Sequence, residues 1–401
     1  MDLDRLRALD AADPLARFRD AFALPEGVIY MAGNSLGPPP KAAASRLGEV
    51  VSDEWGRELV SAWTRRAWID APARVGAKIA PLIGAKAGEV IAADSTSVNL
   101  FKLLAATLAV RPERRTVLTV QDDFPTDLYI AGGATGLFAG CNLVRAPRDE
   151  LAAAMNADVA VVVLSHAHYR SGQVHDMAAV NAVARAAGAW TLWDLSHSTG
   201  VIEVDLDGSG ADLAVGCGYK YLNGGPGAPA YLYVAERLQP LLDNPVAGWM
   251  GHAAPFDFAG DYRPAEGVRR FLAGTPPMLS LLALEAALDA AAGAEPAALA
   301  AKARGLGDVF LELMAGHCPA LERACPGPGE VRGGHVAFRH PQAQVLSERL
   351  AAEGLVGDVR PPDLLRFGLS PLYLRYEDVG RAVQLIAAAL SDDHGVVGRA
   401  R

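Results

Sequence analysis

The sequence predicts an α/β fold, with a large domain on a mainly parallel sheet and a smaller α/β lobe. Three observations predict it. "VAVVVLSHAH" (Val159 to His168), "DMAAVNAVARAAG" and "AWTLWD" follow one another as a core strand, a helix and a second strand, which is a βαβ unit. The 401 residues exceed what one ordinary core supports and suit a large domain plus a smaller one. After about Gly274 the pattern restarts, with a long helix and then shorter strands and helices.

Along the chain, the proline-rich "GNSLGPPP" near residue 35 makes the first stretch irregular. Residues 1–50 are expected to form an arm packing beside the small lobe, residues 51–273 the large domain and residues 274–401 the small one. "NLFKLLAATLA" from Asn99 reads as a helix whose start is marked by the capping cluster "DSTS", Asp94 to Ser97. "TVLTV" from Thr116 is a strand, and "QDDFPTD" is the loop after it. Asp176 caps the helix of the βαβ unit and Gly188 ends it. "ADLAVGCG" is a short apolar run of the kind found in buried parallel strands. In the small lobe "MLSLLALEAALDAAAG" is a helix, "HVAFRH" a strand, "VLSERLAAEG" a helix, "LLRFGLS" a strand and "EDVGRAVQLIAAAL" a helix.

Composition excludes several classes. A hydrophobic fraction of 51% with 21% charged residues is that of a globular chain. The net charge is −9 and no Lys/Arg cluster forms a track for a phosphate backbone, so nucleic acid is not the expected partner and a small molecule is. The N-terminal "MDLDRLRALDAADPLARF" lacks the apolar centre of a signal peptide, and no run of strongly apolar residues reaches the length of a membrane span. A cytoplasmic protein without a membrane partner is expected. The four cysteines form no CxxC pair, so reduced thiols are the default. There is no GxGxxG after a strand and no GxxxxGK[ST]. "SHAH" with His175 lacks recognisable metal-ligand spacing, and no metal is expected.

One lysine stands apart. In "GCGYKYLNGGPG", Lys220 follows a core strand and precedes a run of turn formers that lets the backbone approach a ligand. Placed in a desolvated pocket, such an amine can form a Schiff base with a carbonyl cofactor. Pyridoxal phosphate would then require an acid for its ring nitrogen, and Asp194 ends the strand "TLWD". A dianion site is available at Thr96 and Ser97, where a helix begins. Phe124 could stack on the ring and Asp127 reach its polar edge, with His197 of "DLSHSTG" nearby. Alone, Asp194 reads as a cap or turn residue, Thr96 and Ser97 as N-caps and Phe124 as core. Their order on successive strand ends gives them weight, because ligands of open α/β sheets bind there.

"GNSLG", "FPTD", "WDLSHSTGVIEVDL", "GCGYKYLNGGPG", "GWMGH", "GTPPMLSLLALEAAL" and "LLRFGLSPLY" together resemble the kynureninases, fold-type I pyridoxal-phosphate enzymes of the aminotransferase class V group. "YKYLNGGPG" with "DLSH" alone would indicate only the broader group; "GNSLG", "GWMGH" and the late "LLRFGLSPLY" make it much narrower. The resemblance implies that Lys220 is the Schiff-base lysine, Asp194 the partner of the ring nitrogen, and Thr96, Ser97 and Tyr219 the phosphate ligands. Phe124 would stack on the cofactor, and Asp127, Ser165 and His197 would complete its polar contacts. Trp249 and Thr275 would reach the site from a neighbouring subunit, which implies a homodimer. Arg366 would clamp the substrate's α-carboxylate, with Asn34 nearby, and Trp63 would border the aromatic subsite. The implied reaction is hydrolysis of L-kynurenine, or 3-hydroxykynurenine, to L-alanine and anthranilate or its hydroxy derivative, with Tyr219 as a proton carrier. Thr275 stands where family members often have asparagine, and Trp63 near a histidine of the vertebrate members, which bears on the ring substituent preferred. Two alternatives stay open: another class V enzyme, such as an aminotransferase or a cysteine desulfurase using Cys318 or Cys325, and a cofactor-free binding protein that keeps the fold.

Overall fold

The computed structural model describes residues 2–397, with side chains through residue 391. Met1 and the last four residues of the expected small lobe lie outside the described residues.

The N-terminal arm begins with helix Leu3–Ala11, which Asp2 caps by accepting a hydrogen bond from the Arg5 amide. Its short strand β1 (Ile29–Tyr30) pairs in parallel with β11 (Leu355–Val356), 326 residues away by register from Ile29 to Leu355. Leu6, Leu15, Phe18, Phe22 and Met31 of this arm share one apolar core with Phe310, Val336, Phe367 and Val383 of the small lobe. The residues after Pro40 leave that core: helix Lys41–Glu49 lies against helix Met278–Ala290.

The large sheet holds β2 (Val90–Ala92), β3 (Thr116–Val120), β4 (Asn142–Ala146), β5 (Val159–Ser165), β6 (Trp190–Asp194), β7 (Leu213–Gly216) and β8 (Tyr231–Val234). Their spatial order is β2-β8-β7-β6-β5-β3-β4, with β8 antiparallel to both neighbours and the other pairs parallel. Side chains alternate across it as the pleat requires. Val162, Leu164, Trp193 and Ala214 enter one core, which helix Met278–Ala290 covers through Leu281, Leu282 and Leu284. Val161, Val163, Leu192, Leu213 and Val215 enter the other, under Leu100, Leu103 and Leu104 of helix Thr96–Val110. Both faces are covered, which explains strands that read as continuous apolar runs.

The small lobe carries a four-stranded antiparallel sheet in the order β12 (Asp358–Arg360), β13 (Leu364–Gly368), β10 (His335–Arg339) and β9 (Glu322–Arg323). The helix expected from "MLSLLALEAAL" forms, but its leucines pack in the large-domain core. Membership changes at about Ala294, which joins the second core, so the division at residues 273 and 274 precedes the change by one helix. The 22-residue helix Pro296–His317 has no counterpart among the sequence expectations, because its alanines and glycines blur the apolar period. Likewise "QDDFPTD" is only half loop: Pro125 opens helix Pro125–Thr135 at a position where a missing N–H costs no hydrogen bond.

Candidate active site

The order of strands reverses between β5 and β3, and the crevice outside the carboxyl ends of β3, β5, β6 and β7 collects the chemistry. A cavity of about 270 Å³ opens there, lined by Ser95, Thr96, Ser97, Phe124, Asp127, Ser165, Asp194, His197, Tyr219 and Lys220, with Tyr169, Ala167, Thr126 and Ser196. All nine residues expected around the cofactor from one chain therefore line one space.

Each arrives on a different element. Lys220 follows β7 by four residues and is 9% exposed, with Nζ 2.9 Å from His197 Nε2. The arm motif "GNSLG" holds this turn from behind. Gly37 donates its amide to the Tyr219 carbonyl at 2.8 Å, and a Cβ there would collide with the Lys220 carbonyl oxygen. Asp194 ends β6 and accepts the Ser196 amide at 2.8 Å. Asp123 follows β3, accepting the Ser165 amide at 3.0 Å and the Phe124 amide at 2.7 Å. Phe124 meets the Tyr169 ring edge-on at 5.2 Å.

Two ends of the cavity differ in polarity. At one end Asp123, Asp127 and Asp194 converge. Burial, then the charges of Asp194 and Asp123, push the Asp127 carboxyl well above its ordinary range, and its Oδ2 is buried without a partner. Burial likewise raises Asp123, with the Asp194 charge adding. Carboxylates crowded in this way favour a cationic group between them. At the other end helix Thr96–Val110 points its N-terminus at the cavity. Ser95, not Thr96 or Ser97, caps it through the Val98 amide at 3.3 Å. That leaves the Thr96 and Ser97 hydroxyls uncommitted beside first-turn N–H groups that have no carbonyl within the helix. A ring with a basic nitrogen at one end and a phosphate at the other matches this gradient, so pyridoxal phosphate fits the residues present. Burial, followed by Cys217 and Asp194, also raises Tyr219, which keeps its phenol protonated.

Arg366, on β13, is fully buried but does not line the cavity. Its Nε donates to Asp358 Oδ1 at 2.8 Å, its Nη2 pairs with the second Asp358 oxygen, and its Nη1 donates to the carbonyl of Tyr169. Burial pushes the Asp358 carboxyl up, but the Arg366 hydrogen bond and charge and the Ser35 hydroxyl outweigh it, so it sits below the ordinary range. Asn34 is fully buried beside Gly368, where a Cβ would collide with its Oδ1, and neither side-chain atom of Asn34 has a partner. Trp63, Trp249 and Thr275 stand apart from the cavity. Trp63 touches Trp68 and Trp249 edge-on at 5.8 and 5.7 Å, Trp249 continues to Phe256 at 6.0 Å, and Thr275 is exposed. The sequence reading missed Asp123, Tyr169 and Ser95. Asp123 could have been found from its place one residue before Phe124, whereas Tyr169 enters only because the chain after β5 turns back over the cavity.

Cys318 is buried in the small-lobe core, where burial pushes its thiol up to about 11. Cys325 is raised by burial as well. Neither has the exposure and thiolate character of a nucleophile. Among the described residues, no helix is long and apolar enough to cross a membrane.

This architecture, with a lysine beyond β7 facing an acid at the end of β6, defines the fold-type I pyridoxal-phosphate enzymes. The cysteine desulfurases of Escherichia coli and Thermococcus onnurineus superpose with TM-scores of 0.79 and 0.78 at 19% and 18% identity, over 94% of this chain and 98% of theirs. At sequence level residues 299–386 match the kynureninase C-terminal domain. Kynureninase of Deinococcus radiodurans is 50% identical over 98% of both chains, and that of Pseudomonas fluorescens 45% identical over 96% of this chain and 94% of its own. The chain belongs to the kynureninase family.

Proposed function

We propose that this protein is a pyridoxal-phosphate-dependent hydrolase that cleaves the Cβ–Cγ bond of L-kynurenine, releasing anthranilate and L-alanine. The observation that carries the reading is Lys220, a buried amine in a cavity that Asp127 and Asp194 line at one end and a helix N-terminus at the other, in a chain of this family. When bound, pyridoxal phosphate supplies an electron sink that takes up charge from the substrate's α-carbon.

The chain's own residues do the rest. Thr96, Ser97 and Tyr219 would hold the phosphate, and Asp194, supported by the Ser196 amide, would serve the ring nitrogen. Phe124 would stack on the ring, and Asp127, Ser165 and His197 would complete its polar contacts. Arg366 receives the substrate carboxylate with its planar fork, which requires Asp358 to yield one or both of its hydrogen bonds. Asn34 offers an uncommitted amide beside it. Lys220 Nζ takes the α-proton and returns it, and the Tyr219 hydroxyl carries a proton during bond cleavage.

The aromatic run Trp68, Trp63, Trp249 and Phe256 continues into exposed apolar residues, including Val60 at 81% and Phe258 at 77% exposure. A second copy of the chain covering this face would bring its own Trp249 and Thr275 to the cavity, which supports a homodimer with shared sites. The deciding measurement is an absorption spectrum of the purified protein with L-kynurenine, followed by anthranilate fluorescence. A cofactor band with anthranilate release is expected; a cofactor band without anthranilate would move the reaction elsewhere in class V.

A further inference from the structure

Two buried histidine nitrogens close to Lys220 have no partner, and they lie on opposite sides of the boundary between the lobes. His197 follows β6 in the large domain, and His335 opens β10 in the small lobe. Their ring centroids are 5.8 Å apart with an interplanar angle of 60°. Neither Nδ1 makes a hydrogen bond, although His197 is 8% exposed and His335 not at all. Buried polar atoms of this kind call for a partner.

The remaining nitrogens place the ring protons. His197 Nε2 is 2.9 Å from Lys220 Nζ, and an ammonium only donates, so Nε2 accepts and the proton of the neutral ring sits on Nδ1. His335 Nε2 is 3.3 Å from the Arg170 carbonyl, which only accepts, so His335 carries its proton on Nε2 and has a bare lone pair on Nδ1. Both rings are neutral near pH 7. Burial first, then Lys220 and Arg366, hold His197 well below its ordinary value, and burial with Arg366 brings His335 to about 3. One unpartnered nitrogen is therefore a donor and the other an acceptor.

We propose that His335 is a positioning residue whose Nδ1 accepts the His197 Nδ1–H as the lobes close, aiming His197 Nε2 to accept a hydrogen bond from the Lys220 ammonium. The inference rests on Lys220 as the working amine. No proton is transferred between them: Nζ keeps its proton for return to the substrate, and His197 stays a neutral ring that accepts at Nε2 and donates through Nδ1–H to His335. His335 itself neither gains nor loses a proton.

The small lobe is built to move both groups together. β10 and β13 pair antiparallel, with His335 opposite Gly368 and Ala337 opposite Arg366. His335 and Arg366 grip adjacent carbonyls of one large-domain loop, those of Arg170 and Tyr169, and Arg170 Nη1 returns a hydrogen bond to the Pro361 carbonyl at 2.9 Å. Capture of a carboxylate by Arg366 would draw on its bonds to Asp358 and the Tyr169 carbonyl, and so on the loop whose Arg170 carbonyl His335 holds. The charged and titratable groups facing His197 are Lys220, Arg366, Arg360 and His335; those facing His335 are His197, Arg366, Asp358 and His168.

The test begins with ¹⁵N-histidine NMR of the full-length protein free of cofactor, where Lys220 is an ammonium. His197 is expected as the Nδ1–H form and His335 as the Nε2–H form; a His197 proton on Nε2 or a His335 proton on Nδ1 overturns the proposal. In the holoenzyme, His335→Phe should lower kcat about tenfold and lower the acid limb of its pH profile by about one unit, leaving KM unchanged. His335→Gln, which keeps an acceptor oxygen, should stay within about threefold of the wild type. A phenylalanine variant with the wild-type kcat and pH profile overturns the assignment, and should that variant fail to fold, the tautomers and the glutamine variant decide. An error in the Lys220 reading would appear separately, as a protein without a cofactor band, while the tautomer result would stand.

Discussion

The cofactor cradle and the aromatic face are built on different terms. The cradle's nine residues all come from one chain: they stand at strand ends and one helix start, Asp127, Ser165, Asp194, His197 and Lys220 are buried and the other four half-buried, and strand, glycine turn and helix N-terminus fix their positions. The aromatic face around Trp63 and Trp249 rests on 3-10 and π-helical turns, including Val50–Glu58 and Trp249–Gly251, and leaves large apolar side chains in water. Leu59 and Phe258 there adopt φ of 53° and 45°, a region costly for such residues. One region is held by its own fold, and the other leaves apolar surface uncovered.

The largest expected effect breaks the first half. Lys220→Ala should abolish turnover, by about 10³-fold or more, and remove the absorption band of the lysine-bound cofactor. An unchanged spectrum would refute the assignment. Next, Arg366→Leu should lower kcat/KM about 10²-fold, seen in steady-state kinetics. Asp358→Asn, which weakens the competitor for the fork while keeping its shape, should lower KM; a raised KM would show instead that Asp358 is needed to orient Arg366.

The second half is sharpened by mixing subunits. If Trp249 and Thr275 serve the neighbour's site, inactive Lys220→Ala and Trp249→Ala chains should regain about a quarter of wild-type activity when refolded together in equal amounts, because half the dimers then hold one intact site. No recovery would place Trp249 in its own chain's site. The smallest effect concerns the cradle's foundation. Burial lowers His166 to about 4, and burial with the Arg148 charge lowers His175 to about 3, both from 6.5. The unfolded chain therefore binds protons that the native state excludes. Stability should be full above pH of about 6.5 and decline as pH falls toward 4, by up to ~1.4 kcal/mol per unit for each ring. Thermal denaturation against pH measures this, and His175→Gln should flatten the slope.

Much of the cradle was legible because its residues are fixed by local rules. A lysine after a buried strand, an acid ending the next and a hydroxyl pair at a helix start are each visible within a few residues, and the sheet sets their spacing. Thr96 and Ser97 were found through the capping cluster although Ser95 is the cap, because the same feature that starts a helix also exposes its first N–H groups. Helix Pro296–His317 was not legible, its small residues giving no clear period, and helix Met278–Ala290 was legible as a helix but not as part of the large-domain core. Burial partners depend on the whole chain.

The sequence by itself determined the α/β class, the family resemblance and the position of Lys220 relative to Asp194, since strand pattern and turn chemistry act over short range. Only the tertiary structure decided that Asp358 occupies the fork of Arg366, that Gly37 of the arm lies against the Lys220 backbone, and that His335 faces His197. Those contacts join residues from 8 to 183 positions apart. They follow from how two lobes and one arm pack, which no local propensity encodes.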